Sequence, residues 1–505
     1  MTSDDTVSSS QHSDWLNNPW LFLLGIALSV LFIWQVEYLP LLDLPQHAAQ
    51  VTALKELAAG NPLFVNEFEI NWFTPYLLGT GAFYVLSLLM PLTTAAKLYC
   101  TVAVAGIPLM TWALLKETGA DTRWKWLAIP SGLSYAFYLG FLSYILAAPL
   151  AMGLLWLSIR YSRKPTVRSG LLIAVYALFL FFCHIVAMGF GCMVSLAWLL
   201  GKYYKDFKKL VLVCLPYVAP VPLIFIWTLI IYRTDTHAVE SVLNFNAPDV
   251  KLYMFQQQLS GLDGSSDMLG WVITPLLLLL PWLAGCRWAK NPWRWAPFAA
   301  ALFAFAVLPE GAFGSAFLYQ RLGLFLIPMY LLAWNAPEGA GRGWVKWVVP
   351  VVISLLAVFN IARFDAYNDE AQGFVELMAE MEPGKRTAGL IEEQDSQFIG
   401  TPPFLHFGSW YQAEKAGISD FNFAFFYPVM VRYKQGVVAN FDQIISWYPY
   451  DFDFDLHYGD DYDYFVIRSE QDLGLYFLRG HLEKYRKVKH VGMWSLWART
   501  EVAEQ

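Results

Sequence analysis

Asp43 and His47 are the residues of this chain best suited to chemistry, because an acid and a histidine stand where the first apolar segment ends. Keeping an ionisable group beside hydrocarbon costs about 2.5 to 3.5 kcal/mol on insertion scales, so such a group is a candidate functional residue. A carboxylate near apolar surroundings holds its proton more strongly than usual, which suits a general base. We therefore predict that Asp43 is a catalytic base, with helix capping as its competing role.

Two further ionisable residues flank Asp43. His47 could bind a divalent cation together with Asp43, could orient the Asp43 carboxylate, or could be an ordinary polar contact. Glu37 is a candidate second acid, although a solvated carboxylate at the end of a membrane span is the simpler interpretation. The residues therefore permit a metal ion without requiring one.

Basic residues that could hold an anion lie in two later loops. Arg321 is the best candidate for binding a phosphate, because a guanidinium is always charged and offers paired donors to phosphate oxygens. Its competing role is to anchor the chain to lipid headgroups. The long polar loop 233–268 adds Arg233, His237 and Lys251 as candidates that could assist Arg321.

The residues after Asp43 predict a short amphipathic helix. Apolar side chains recur at near-helical spacing until Gly60, which suits the end of a helix. We expect this helix to lie along the membrane surface with polar residues on one side, so that Asp43 and His47 could face one cavity. These polar residues are Gln46, His47 and Gln50.

The composition is that of a membrane protein. Of 505 residues, 57% are apolar and only 15% are charged, and long runs of Leu, Phe, Trp and Ala are typical of spanning helices. The first apolar stretch lacks the basic flank of a cleavable signal peptide, so we expect a retained span. The twelve candidate spans are roughly 19–36, 72–90, 95–115, 126–139, 143–160, 170–183, 185–200, 210–232, 269–285, 295–308, 318–334 and 345–362.

Basic residues cluster after alternate candidate spans, which indicates the cytoplasmic side. The intervening loops hold only Lys55, Lys97, Arg233, Lys251 and Arg321. The stretch 72–90 has an aromatic, proline-containing start, so we expect a re-entrant or interfacial helix and about eleven spans; a full crossing would place loop 37–70 in the cytoplasm instead. The cytoplasmic residues are Lys116, Arg123, Lys125, Arg160, Arg163, Lys164, Arg168, Lys202, Lys205, Lys208, Lys209, Arg287, Lys290, Arg294, Arg342 and Lys346.

The chain divides into three predicted parts. Residues 1–18 form a cytoplasmic tail, and residues 19–364 form a helical transmembrane domain with external loops 37–94 and 233–268. Residues 365–505 form an extracytoplasmic α/β domain. That domain holds 23 Asp and Glu against 12 Lys and Arg, which argues against nucleic acid as a partner.

Periodicity inside the C-terminal domain predicts both helix and strand. The predicted elements are a helix at 374–381 and strands at 387–391, 464–468 and 491–499. If Asp451, Asp453 and Asp455 lay on a strand, they would share one face and could bind calcium or sugar. A solvated acidic edge is the favoured interpretation of this run.

Several short motifs resemble those of the C-class glycosyltransferases, membrane enzymes that use polyprenyl-phosphate-linked sugars. The motifs are Asp43-Leu-Pro-Gln-His47, Gly-Phe-Leu-Ser-Tyr at 140–144, Leu-Pro-Glu-Gly-Ala-Phe-Gly at 308–314 followed by Arg321, and the C-terminal stretches 404–417 and 463–468. Many members of the family carry an acid in the second external loop, whereas residues 140–144 contain none. The resemblance therefore leaves a two-acid metal site of the usual kind in doubt.

The resemblance implies a multi-pass protein of the cell inner membrane that transfers a sugar from a polyprenyl-phosphate donor to an acceptor at the outer face. Asp43 would be the base and Arg321 the phosphate ligand, in one extracytoplasmic cavity. The alternative is a non-catalytic scaffold or assembly subunit of the same fold that binds a lipid or protein partner. A transporter is disfavoured, because the apolar stretches hold almost no charge away from their ends.

Overall fold

The computed structural model describes residues 15–234, 243–262, 267–312, 315–337, 343–434, 436–437 and 445–500. Helices predominate before residue 380. They are α1 (Pro19–Ser29), α2 (Leu44–Ala59), α3 (Pro62–Val65), α4 (Leu77–Leu89), α5 (Leu92–Thr118), α6 (Tyr135–Tyr138), α7 (Leu142–Tyr161), α8 (Val167–Cys183), α9 (Ile185–Tyr203), α10 (Phe207–Cys214), α11 (Val221–Thr234), α12 (Pro248–Ser260), α13 (Asp267–Leu283), α14 (Ala296–Val307), α15 (Gly323–Leu331) and α16 (Val345–Ala379).

Four of these helices, α5, α7, α9 and α16, are long and apolar enough to cross a membrane. A bent pair of helices is also long and apolar enough to cross a membrane if it forms one broken span; its members are Phe207–Val218 and Val221–Ile231. Five shorter apolar helices accompany them, which agrees with a multi-pass membrane protein. The count of about eleven spans goes beyond these helices and stays a prediction. Helix α4 has 13 residues, fewer than the roughly 20 that a straight crossing needs.

The predicted span at 126–139 is not a single helix. It consists of 3-10 turns at Thr122–Ala128 and Pro130–Gly132, followed by the four-residue helix α6. Proline removes a helical hydrogen-bond donor and glycine weakens a helix, so the chain turns here. A Cβ on Gly132 would lie 2.7 Å from the carbonyl oxygen of Val104. Apolar composition here reflects burial in the protein interior rather than a membrane-length helix.

The predicted pair at 170–183 and 185–200 is confirmed as two helices, α8 and α9. His184 is the residue between them and adopts an extended conformation, with φ −171° and ψ 122°. The break places a histidine between the end of one apolar helix and the start of the next.

The C-terminal domain is built on a five-stranded sheet. The strands and later helices of the chain are β1 (Phe68–Ile70), β2 (Arg287–Trp288), β3 (Trp334–Asn335), β4 (Arg386–Ile391), α17 (Ser409–Lys415), β5 (Ile418–Ser419), β6 (Val431–Tyr433), β7 (Tyr464–Arg468), α18 (Gly474–Phe477), β8 (Tyr485–Val491) and β9 (Trp494–Arg499). The strand order in the five-stranded sheet is β5-β4-β7-β9-β8. Strands β4, β5 and β7 run parallel, whereas β9 is antiparallel to both β7 and β8.

The three strands predicted in this domain are confirmed within three residues, as β4, β7 and β9. The predicted helix at 374–381 is the end of α16, which continues from the membrane part through the boundary at 364–365 without a break. The conditional strand through Asp451, Asp453 and Asp455 is wrong. Pro449–Asp451 is a 3-10 helix followed by turns, because proline and closely spaced aspartates favour turns over strands.

Helix α2 is held between the membrane helices and the C-terminal domain, where it packs against α4, α5 and α17. Gln50 donates to Asn422 Oδ1 (3.0 Å) and the Val431 carbonyl (2.9 Å), and accepts from the Val431 N–H (3.0 Å). Gln46 donates to Ser409 Oγ (2.8 Å). Gln46 and Gln50 therefore do not lie on a solvated polar side of α2, because their amides are buried against the C-terminal domain.

The loop before α7 fixes the start of α2. Backbone N–H groups of Leu42 and Asp43 donate to the carbonyls of Tyr138 and Leu139, each at 3.1 Å. Gly140 follows with φ +74°, and a Cβ there would lie 2.9 Å from the backbone nitrogens of Asp43 and Leu44. Only glycine combines this left-handed conformation with so close an approach.

We predict that Gln50→Ala destabilises the docked C-terminal domain by about 2 to 3 kcal/mol, because it leaves the N–H and carbonyl of Val431 buried without partners. Unfolding in detergent and protease sensitivity of the C-terminal domain measure the effect. Gln471→Ala is the control, since Gln471 is exposed in the same domain. Equal stability of the two variants would show that the Gln50 amide does not hold the domain.

We predict that Gly140→Ala lowers stability and displaces Asp43, because a methyl group there meets the backbone of Asp43 and Leu44. Gly119→Ala is a matched control: its φ is +69°, but no atom lies within 4 Å of the added Cβ. Gly119→Ala should cost about 1 kcal/mol from backbone conformation alone, and Gly140→Ala clearly more. Thermal unfolding compares them, and equal losses would contradict the close packing.

Candidate functional site

Asp43 heads helix α2, but its side chain accepts no capping hydrogen bond from the first turn. The carboxylate is mostly buried, with 13% of the side chain exposed, and its Oδ1 lies 3.8 Å from Nε2 of His406. Burial raises the pKa of Asp43 to about 7, against a smaller lowering by the charge of Arg321. The geometry therefore argues against the capping role and gives a carboxyl group that can gain and lose a proton near neutral pH.

His406 reaches Asp43 from the C-terminal domain, and only 1% of its side chain is exposed. Its ring packs against Phe421 (5.8 Å between centroids), Phe423 (5.4 Å) and Trp447 (6.1 Å). Burial lowers the pKa of His406 to about 3, with a further lowering by His47. The contact with Asp43 is thus made by a neutral imidazole rather than by an imidazolium.

Arg321 lies at the head of helix α15, with its guanidinium 4.0 Å from the ring centroid of Phe141. Nη2 donates to the carbonyl of Ala316 (3.2 Å), Nη1 lies 3.4 Å from Nε2 of His184, and Nε is buried without a hydrogen-bond partner. The Tyr144 hydroxyl donates to the Arg321 carbonyl (2.6 Å). Aromatic side chains therefore hold a cation whose donors are only partly used.

In the contact between His184 and Arg321, both side chains present a hydrogen-bond donor. Nδ1 of His184 accepts from the Val186 N–H (3.2 Å) and so caps helix α9. A neutral imidazole that accepts at Nδ1 carries its proton on Nε2. Both Nε2 of His184 and Nη1 of Arg321 then present hydrogen atoms toward each other, and an anionic oxygen would satisfy both.

The structure brings Asp43, His47 and Arg321 into one neighbourhood. The charge of Arg321 acts on Asp43 and on His184, and His47 acts on His184 and on His406. His47 lies in the first turn of α2, edge-on to Phe423 (5.7 Å), and burial lowers its pKa to about 4. An acid, a guanidinium and three neutral histidines therefore meet where the first loop, α15 and the C-terminal domain converge.

Of the remaining predicted residues, Glu37 and Lys251 do not join this cluster. Glu37 is exposed, and its backbone N–H donates to Asn368 Oδ1 (3.1 Å). Lys251 Nζ donates to the carbonyls of Ala306 (2.7 Å) and Leu308 (2.8 Å), at the end of α14. His237 and the side chain of Arg233 lie outside the described residues.

A metal site was left open for Asp43 and His47. Among the described residues, no three His, Cys, Asp or Glu side chains are grouped closely enough to hold a metal ion. Asp43, His47 and His406 are therefore not grouped closely enough to hold one metal ion. The charge of Arg321, which acts on Asp43, suits an oxygen anion better than a metal cation.

The residues predicted to form the site do not include His406, nor His184, which the sequence indicated as a turn or core residue. Position 184 could have been recognised from its place between two apolar stretches, because one helix ends and the next begins there. His406 is in the Phe-Leu-His-Phe-Gly motif, but nothing in local spacing shows that a residue 363 positions after Asp43 lies beside it. Only the docking of the C-terminal domain on α2 brings it there.

No protein-family model matches this chain. No curated protein matches it either. The solved structures that resemble it include those of two proteins. Arabinofuranosyltransferase AftD from Mycobacteria matches with a TM-score of 0.49 and 14% identity, over 96% of this chain and 40% of that chain. ArnT from Cupriavidus metallidurans bound to undecaprenyl phosphate matches with a TM-score of 0.48 and 10% identity, over 96% of this chain and 98% of that chain.

The apo state of ArnT from Cupriavidus metallidurans gives a TM-score of 0.47 at 12% identity, with the same coverage. The chain spans about 40% of the length of AftD and nearly the whole length of ArnT. TM-scores below 0.5 at these identities assign neither a family nor an activity to this chain. Its function has to be inferred from its own residues.

Proposed function

We propose that this protein transfers a sugar from a polyprenyl-phosphate donor to an acceptor hydroxyl at the outer face of the inner membrane. The observation that carries the proposal is the convergence of Asp43 with Arg321 and His184. Burial raises the pKa of Asp43 to about 7, and the charge of Arg321, whose paired donors suit phosphate, acts on the same carboxyl group. The sequence resemblance to C-class glycosyltransferases supports the same reaction. An odd number of crossings from a cytoplasmic N-terminus would place the C-terminal domain outside the cytoplasm.

The proposed step balances as a displacement at the sugar's anomeric carbon. The bond from that carbon to the phosphate oxygen breaks, and a bond to the acceptor oxygen forms. The acceptor proton moves to the Asp43 carboxylate, and the bonding electron pair leaves with polyprenyl phosphate. Arg321 and the Nε2–H of His184 stabilise the charge that develops on the leaving phosphate.

The described residues also suggest how water and lipid are managed. The rings of Phe141 and Tyr144 pack on the Arg321 guanidinium, and the ring of Phe423 packs on His47 and His406. These apolar rings lower the local dielectric and strengthen each charge interaction. The neighbouring membrane helices offer apolar surface for a polyprenyl chain. A non-catalytic scaffold would need neither a titrating acid nor unsatisfied phosphate donors in the same place, so we do not favour that alternative.

We predict that Arg321→Gln weakens binding of undecaprenyl phosphate, the lipid in the ArnT structure, by about ten- to a hundredfold, because one charge-assisted contact contributes about 1.5 to 3 kcal/mol. Arg321→Lys should recover part of the affinity, since it keeps the charge but loses the paired donors. Arg168→Gln, an exposed change on α8, controls for general attraction to anionic lipid. Native mass spectrometry in detergent measures the affinities; equal binding by Arg321→Gln and wild type would remove the phosphate role.

We predict that Asp43→Asn lowers transfer at least a hundredfold while keeping lipid binding, because the amide cannot take the acceptor proton. The base works only when ionised, so wild-type transfer should rise as pH increases through about 7, the pKa of Asp43. Initial rates with polyprenyl-phosphate-linked pentoses and hexoses test both points. Glu37→Gln tests the rival acid and should transfer normally. Full activity of Asp43→Asn, or a rate that is flat across this pH range, would rule out Asp43 as the base.

A further inference from the structure

A small buried cavity lies beside His406 in the C-terminal domain. It has a volume of about 10 Å³, and polar side chains of Gln46, Ser409, Asp420 and Ser446 line it together with His406. A space of this size is just enough for one water molecule. The cavity therefore lies where α2 meets the C-terminal domain, in contact with the histidine that faces Asp43.

Three of the atoms around this cavity are buried and have no hydrogen-bond partner: Nδ1 of His406, Oδ2 of Asp420 and Oγ of Ser446. The other carboxylate oxygen of Asp420 accepts from the Gly389 N–H (3.2 Å). Buried polar groups of native proteins are almost always paired, with protein or with ordered water. Three unpaired polar atoms around a water-sized space point to a bridging water.

We propose that a water molecule in this cavity links Asp420 and Ser446 to Nδ1 of His406, and that His406 thereby presents its Nε2–H to the Asp43 carboxylate. His406 is then a positioning residue that acts through Asp43. This inference rests on the proposed role of Asp43 as the base. It adds that the C-terminal domain controls the protonation state of that base.

The direction of the hydrogen bonds follows from the charge states. Burial raises the pKa of Asp420 to about 7, so up to about neutral pH this carboxyl group can donate to the water, and the water can donate to Nδ1. A neutral imidazole that accepts at Nδ1 carries its proton on Nε2. Nε2 of His406 lies 3.8 Å from Oδ1 of Asp43. This distance is longer than a hydrogen bond, but the N–H dipole still favours the ionised carboxylate.

The ionisable groups that face this chain of contacts come from three parts of the fold. Asp43 and His47 approach His406 from the start of α2, and Asp420 approaches from its own domain. Arg321 acts on Asp43 from the membrane part. Loss of the Nε2–H donor removes a contact that favours ionised Asp43, so Asp43 should hold its proton to higher pH.

Infrared titration of the full-length protein tests this without any substrate. At each pH, the absorbance of the protonated carboxyl band in Asp43→Asn is subtracted from that in the wild type. The difference reports the ionisation of Asp43. In His406→Phe the midpoint should rise by about one pH unit, the size expected for one lost contact to a charged group. His406→Gln, whose amide can reach the Nε2 position, should return the midpoint toward wild type, whereas His406→Asn should not.

His481→Phe is the matched control. His481 belongs to the same domain, stacks on Phe454 (3.9 Å) and lies 3.7 Å from Asp455, so its loss should leave the Asp43 midpoint unchanged. Asp420→Leu should raise the midpoint like His406→Phe, and Asp420→Asn, which keeps a donor, should raise it less. If His406→Phe does not fold, the difference in the Asp43 midpoint between His406→Gln and His406→Asn tests the proposal instead.

An unchanged Asp43 midpoint in His406→Phe, or equal midpoints in the Gln and Asn variants, would overturn the proposal. The proposed role of Asp43 in transfer would be refuted by a different result, namely sugar transfer by the Asp43→Asn variant. The two failures are therefore distinguishable, because the titration needs neither a donor nor an acceptor.

Discussion

The buried amides of Gln46 and Gln50 hold helix α2 against the C-terminal domain, and the positions of Asp43, His47 and His406 relative to one another depend on this contact. Helix α2 begins at Asp43, so whatever fixes the helix fixes the acid. On the side of the membrane helices, the tight turn at Gly140 packs against the backbone of Asp43 and Leu44 and fixes the start of the same helix. The acid is thus held by backbone packing on one side and by side-chain hydrogen bonds on the other, which suits a group that must keep its geometry during catalysis.

Burial then determines the chemistry. Without desolvation the Asp43 carboxyl would be a weak base, and without Arg321 an ionised carboxylate in this setting would be still less stable. The histidines around the two charges are neutral because they are buried as well. The site therefore combines one acid–base group and one permanent cation with neutral donors, which fits transfer from a phosphate better than chemistry at a metal centre.

Charge placement in the sequence predicted part of this site, and tertiary packing determined the rest. Asp43 and Arg321 could be paired from sequence because both lie at the ends of apolar stretches on the same predicted side. Gln50 looked like a solvated residue of an amphipathic helix, since nothing local shows that a domain hundreds of residues later covers it. The stretch 126–139 has the composition of a span, because hydropathy does not distinguish burial in protein from burial in lipid.

The most direct test of the account is an experimental structure of the full-length protein with undecaprenyl phosphate bound. The account predicts phosphate oxygens within hydrogen-bond distance of both the Arg321 guanidinium and Nε2 of His184, with the Asp43 carboxylate facing the position of a sugar attached to that phosphate. A phosphate bound elsewhere, with Arg321 still directed at Ala316 and His184, would contradict it.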